Sequence, residues 1–181
     1  MISDLNAQKD TIPTESIQWD SSWPELAGNY DRTLLFSYLY ERFGIPENLF
    51  REYLLFKQKT GWFLLHSSAL LENVSRIKVS KVGLRSFRKV GQFVKPTTRF
   101  IQSFGRFATK RVYRISPDNL LRLVAGEQIP VDQDYEKGYV ILANHENCIL
   151  GVGFFINGRI RSQLPGNQLR TAMIADSPVS T

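Results

Sequence analysis

The chain has 181 residues and a mass of 20.8 kDa, which is one domain or two small ones, and its 43% hydrophobic content excludes wholesale disorder. The single cysteine, Cys148, excludes an intrachain disulfide and leaves a cysteine-based zinc site without its thiolates. The net charge of +6 is unevenly spread: residues 1–29 sum to -4, 30–58 to 0, 59–114 to +12 and 115–181 to -2.

In chain order, residues 1–28 read as an acidic polar tail, expected to be flexible. Two tryptophans within it, Trp19 and Trp23, are costly to leave in water and either dock on the chain's own body or anchor a partner. A helix is expected to begin at Asp31 as N-cap, with Leu34, Leu35, Tyr38 and Leu39 as its apolar stripe and Gly44 as its end. Pro46 opens a short second helix through Phe50. Tyr53–Lys57 and Trp62–His66 read as strands around a Lys59-Thr60-Gly61 turn. Ser67 or Ser68 caps a short helix through Leu71. Ile77–Val82 and Arg85–Val90 read as strands, and Pro96-Thr97-Thr98 starts a helix that buries Phe100, Ile101 and Phe104 and ends at Gly105.

A boundary is expected at 111–116. Ser116 and Pro117 start a helix carrying Leu120, Leu121 and Val124, and Gly126 stops it. Gly138–Ala143 and Cys148–Ile156 then read as strands, and Asn157-Gly158 as a tight hairpin turn returning through Arg159–Gln163. The expected class is α+β: an acidic tail at 1–28, a basic α/β domain at 29–111, a β-barrel-like domain at 112–171 and a C-terminal tail at 172–181.

Residues that carry enzyme chemistry are scarce. His66 and His145 have no second His or Cys at metal-ligand spacing, and the acids form no evident dyad. Cys148 lacks a neighbouring cation that would favour a thiolate and reads as a core residue. Gly151-Val-Gly153 begins like a dinucleotide fingerprint, but Ile156 stands where the third glycine belongs and the segment leads into a hairpin, not a helix. These glycines are expected to permit close packing or a bulge. No apolar run approaches the ~18–20 residues that span a bilayer, and the N-terminus has no apolar targeting segment. No catalytic residue, metal or cofactor is expected, nor a membrane partner; a cytoplasmic location fits the cysteine usage.

The informative stretch lies within 59–114, where 13 bases face one acid, Glu72. A single-sign field of that size attracts polyanions. Phe87, Phe93, Phe100, Phe104, Phe107 and Tyr113 are interleaved with the bases; rings of this kind either fill a core or stack on unpaired bases. Lys95 and Arg99 flank the expected start of a helix at Thr97, a place suited either to a phosphate or to an ordinary threonine cap. Arg159 and Arg161 share one face of the last hairpin strand, with Gln163 continuing it. The candidate RNA-binding residues are Arg85, Arg88, Lys89, Lys95, Arg99, Arg106, Lys110, Arg111, Arg159 and Arg161.

Gly138-Tyr-Val-Ile-Leu142, Leu150-Gly-Val-Gly153 and Gly158-Arg-Ile-Arg-Ser-Gln-Leu-Pro165 together resemble a PUA-type domain, the RNA-binding module of pseudouridine synthases and archaeosine transglycosylases. Upstream, Val82-Gly-Leu-Arg-Ser-Phe-Arg-Lys89 and the run from Phe93 to Val112 are similar to the pre-PUA and PUA pair of small Nip-type ribosome-assembly factors. They are also similar to the C-terminal region of Sun-type RNA cytosine-5 methyltransferases. The resemblance covers roughly 31–171 and implies a pre-PUA-like α/β domain followed by a PUA-like pseudo-barrel. The catalytic domain of the methyltransferases, with its cofactor loop and nucleophilic cysteine motif, has no counterpart in this sequence.

The expected function is therefore non-catalytic RNA binding, on rRNA or tRNA, in ribosome assembly or RNA modification. The expected partners are RNA and a ribosomal precursor particle or an RNA-modifying enzyme. The competing expectation is a protein-interaction adaptor that uses the tryptophan-bearing tail and a basic docking face.

Overall fold

In the computed structural model, which describes residues 17–68 and 70–164, helix α1 spans Asn29–Phe43 and starts ahead of Asp31. Gly28 takes the cap position with no side-chain cap bond, so Asp31 is not the N-cap. Asp31 is instead buried against the neighbouring strands. Its Oδ2 accepts from Lys57 Nζ at 2.7 Å, and its Oδ1 accepts from the Trp62 indole N–H at 3.2 Å. A first-turn carboxylate suits the helix dipole, and these two partners fix the helix to the strands. The buried stripe is Leu35, Phe36, Leu39 and Phe43, and Leu34, expected inside, is 45% exposed. Gly44 closes the helix with its N–H on the Leu39 and Tyr40 carbonyls, and a 3₁₀ turn at Glu47–Phe50 follows Pro46.

Strands β1 (Glu25–Leu26), β2 (Tyr53–Gln58), β3 (Gly61–His66), β4 (Leu84–Val90) and β5 (Phe93–Pro96) form an antiparallel meander in that order. Alternate side chains feed two layers. Leu55, Trp62, Leu64 and Phe87 pack with α1 and with helix α3 (Thr98–Phe104). Leu54 and Phe56 pack on the other side with Ile17, Leu71 and Val82, where Trp19, Trp23 and Phe63 join them.

The expected tail is thus folded from Ile17 onward. Trp19 and Trp23 lie 4.7 Å apart, each against Phe56, and the Trp23 indole donates to the Ile77 carbonyl at 3.0 Å. The short helix α2 is Leu71–Val74, later than expected. Residues 77–82 form no strand, because their role is to cover the sheet: Val79 and Val82 fill the second layer.

The second sheet has the order β6-β8-β9-β10-β7. It comprises β6 (Val112–Arg114), β7 (Gln128–Pro130), β8 (Gly138–Ala143), β9 (Ile149–Ile156) and β10 (Arg159–Ser162). β6 runs parallel to β8 and the other pairs are antiparallel. Between β6 and β7 lies α4 (Pro117–Val124), where Ser116 Oγ caps the Asn119 N–H at 3.3 Å and Leu123 is the buried residue; Leu121, expected inside, is 53% exposed. Asn157 and Gly158 both take positive φ, 50° and 70°, which matches the twist of a two-residue hairpin. The fold is mixed α+β with two sheets. The C-terminal tail at 172–181, the last residues of the expected barrel-like domain and residues 1–16 of the N-terminal tail lie outside the described residues.

The sheet changes between Pro96 and Val112, yet the core does not divide there. Ile141 and Val152 of the second sheet belong to the same buried cluster as α1, α3 and the first sheet. α3 lies on β9, where Gln102 Nε2 donates to the Leu150 carbonyl at 3.0 Å. A Cβ at Gly151 would come 2.4 Å from Leu164 Cδ2 and 2.7 Å from Thr98 Cγ2, and its φ is +147°; only glycine admits this contact. The Gly151 and Gly153 pair therefore serves close packing. Cys148, read as core from sequence, is exposed, because β9 begins one residue later and the Asn144–Cys148 turn carries it outward.

Candidate nucleic-acid interface

β4 and β5 are joined through Gly91 and Gln92, with Arg88 opposite Lys95 and Val90 opposite Phe93. In a regular ladder these four share one face. At the base of the hairpin the chain turns into α3 at Thr97. Its Oγ1 accepts from the Phe100 N–H at 3.2 Å and donates to the Arg85 carbonyl at 2.5 Å, so Thr97 serves as an ordinary cap. The turn opens a cleft of about 250 Å³ lined by Arg88, Lys95, Pro96, Thr97, Thr98, Arg99 and Gln163. Among the described residues, three cations line it and no carboxylate does. Arg88 and Arg99 are exposed, and Lys95 is half-buried.

Lys95 joins the two sheets. Its Nζ donates to Gln163 Oε1 at 2.6 Å and lies 5.9 Å from the centre of the Tyr139 ring. Burial, and secondly the positive charge of Arg88, lower the Lys95 pKa from the ordinary lysine value. An ammonium held in this way gains from a nearby anion, because a phosphate relieves both penalties. From Tyr139 the row continues across the second sheet: Tyr139 and Phe154 are cross-strand partners with ring centres 5.2 Å apart, and the Arg161 guanidinium sits 5.7 Å from the Phe154 ring. Arg159 lies two residues from Arg161 on the same exposed face. Arg88, Lys95, Arg99, Arg159 and Arg161 thus come together on one surface through two half-buried rings.

The other five candidate cations stand apart from the cleft. Arg85 is committed to the fold: its guanidinium donates to the Thr60 carbonyl and hydroxyl at 3.0 and 2.7 Å and lies over the Phe63 ring. Burial, then Arg88, lower its pKa, and its Nε has no hydrogen-bond partner. Arg111 is paired with Glu136, which also meets Arg42 at 3.8 Å. The Arg111 hydrogen bond, followed by its charge, holds the Glu136 carboxyl below its ordinary value. Lys89 covers the Trp62 ring at 5.3 Å. Arg106 and Lys110 are exposed over Phe107 and Tyr40, at 4.7 and 5.5 Å. Of Arg106, Lys110 and Arg111, the third is thus already paired with a carboxylate.

Phe100 is fully buried, as is Phe87, and Phe104 packs beside them; Phe93 is 76% exposed. Sequence reasoning passed over Tyr139 and Phe154, whose alignment depends on the β8–β9 register. His66 meets Glu52 at 3.4 Å on an exposed edge, and His145 is exposed in its turn. Among the described residues no cluster of three His, Cys, Asp or Glu is placed to hold a metal. No helix among them is long and apolar enough to cross a membrane. In comparisons with known proteins, no protein-family model and no curated protein matches this chain.

Proposed function

We propose that this chain is a non-catalytic RNA-binding protein of PUA-like type, acting on rRNA or tRNA during ribosome assembly or RNA modification. The observation that carries the reading is the cleft of Arg88, Lys95 and Arg99, with no carboxylate among its described lining residues, continuous with Tyr139, Phe154 and Arg161. Cations at such a face neutralise phosphates and release counterions, and the rings give sugars and bases an apolar surface. The second sheet, with its parallel β6–β8 pair and its glycine-permitted contact to α3, supports the PUA-like assignment of that half. The first sheet and α3 together supply three of the five cations of the face, Arg88, Lys95 and Arg99, as a pre-PUA-like domain would. In this reading the chain positions RNA for a ribosomal precursor or for a separate modifying enzyme.

The test is fluorescence anisotropy with a structured RNA, the same sequence as duplex DNA, and heparin, over a salt series. RNA binding that exceeds both competitors, with a steep log–log salt slope, is the expected result. Equal binding to all three, vanishing near physiological salt, overturns the reading and leaves only a general polyanion field.

A further inference from the structure

The tip of the β4–β5 hairpin pairs two unusual exposures. Phe93 is 76% and Val90 48% exposed, and they are direct cross-strand partners. Neighbouring aromatics on this segment, Phe87 and Phe100, are fully buried, so the exposure of Phe93 belongs to its position and not to the segment. One ladder step toward the base on the same face stand Arg88 and Lys95, also direct partners. At a strand rise of about 3.3 Å per residue, the ring and the cations originate about 7 Å apart.

An apolar ring bordered on one side by a cationic cleft fits a ligand with a flat apolar face at one end and an anion at the other. We propose that the hairpin and cleft form a subsite for one unpaired ribonucleotide, with its base on Phe93 and its phosphate held by Arg88, Lys95 and Arg99. This inference rests on the RNA-binding reading and adds that the bound element is single-stranded. A paired base has both faces covered by its stack and cannot lie on Phe93, whereas an unpaired base can. Gln163, already bonded to Lys95, keeps the ammonium aimed into the cleft.

The experiment uses the full chain and two probes: an adenine-rich single-stranded oligoribonucleotide carrying 2-aminopurine, and the same sequence as an RNA duplex. Phe93→Ala is expected to weaken the single strand about tenfold, to abolish the 2-aminopurine fluorescence change, and to leave the duplex Kd unaltered. Phe93→Trp restores both single-strand readouts. Because Phe93 is on the surface, neither change disturbs the core. Wild-type RNA binding with no single-strand effect of Phe93→Ala, or an equal loss on both probes, overturns the subsite and leaves RNA binding standing. Failure of the wild-type chain to bind either probe overturns the subsite, and failure to bind a structured RNA as well overturns both readings.

Discussion

Replacing Arg88, Lys95 and Arg99 together by glutamine lowers the formal net charge of +6 by three, and so does replacing Arg76, Lys78 and Lys81. The second set is exposed and lies outside the cleft, on and beside the segment that covers the other layer of the first sheet. A general field responds to net charge and is weakened alike by both sets. A built cleft responds only to the first. Each phosphate neutralised on a single strand contributes about 0.7 to the log–log salt slope, so losing three contacts flattens it by about 2. At about 0.15 M salt, counterion release from three such contacts amounts to roughly 50-fold in Kd. Anisotropy of a labelled single-stranded RNA at five salt concentrations measures slope and Kd together. Thermal melts confirm that both variants fold, as expected for substitutions that leave every core side chain in place. An equal loss from the two triple variants refutes the cleft as the binding site.

Gly151→Ala should destabilise the chain by about 3 kcal/mol, from strained backbone at φ +147° and overlap with Leu164 and Thr98; an unchanged urea midpoint shows that the α3–β9 contact is looser than described. Trp19→Ala removes a half-buried ring packed on Trp23 and Phe56 and should cost about 2 kcal/mol in urea unfolding without altering RNA affinity. A loss of RNA affinity with stability intact contradicts the structural role of that ring. Glu136→Gln tests linkage. The Glu136 carboxyl is held below its ordinary value by Arg111, so its stabilisation is present above the unfolded carboxylate pKa and is lost as pH falls through the folded one. The wild-type Tm should therefore drop more steeply than that of the variant in the acid range, and parallel curves contradict the pairing.

Features decided within a few residues were legible in the sequence. Ser116 with Pro117, the Asn157-Gly158 turn, the Gly44 stop and the Thr60-Gly61 hairpin each depend on local dihedrals and nearby backbone groups, and the chain adopts them wherever it packs. The mixed α+β class follows from such signals in series, and the concentration of positive charge follows from counting. The strands β1, β5, β6 and β7, of two to four residues, were invisible because they are too short for a period and carry no tight-turn signal like the one that marks β10.

The fate of individual charges was equally hidden. Asp31 is a buried partner of Lys57 and Trp62 rather than a cap, and Arg85 and Arg111 are held internally while Arg88 and Arg99 stand free of the core. The row from Lys95 through Tyr139 and Phe154 to Arg161 draws on four strands of two sheets. The sequence by itself determined that this protein has local turns, caps and a strong central positive field. Only tertiary packing decided which cations face solvent together, because register and burial are set by contacts between residues far apart in the chain.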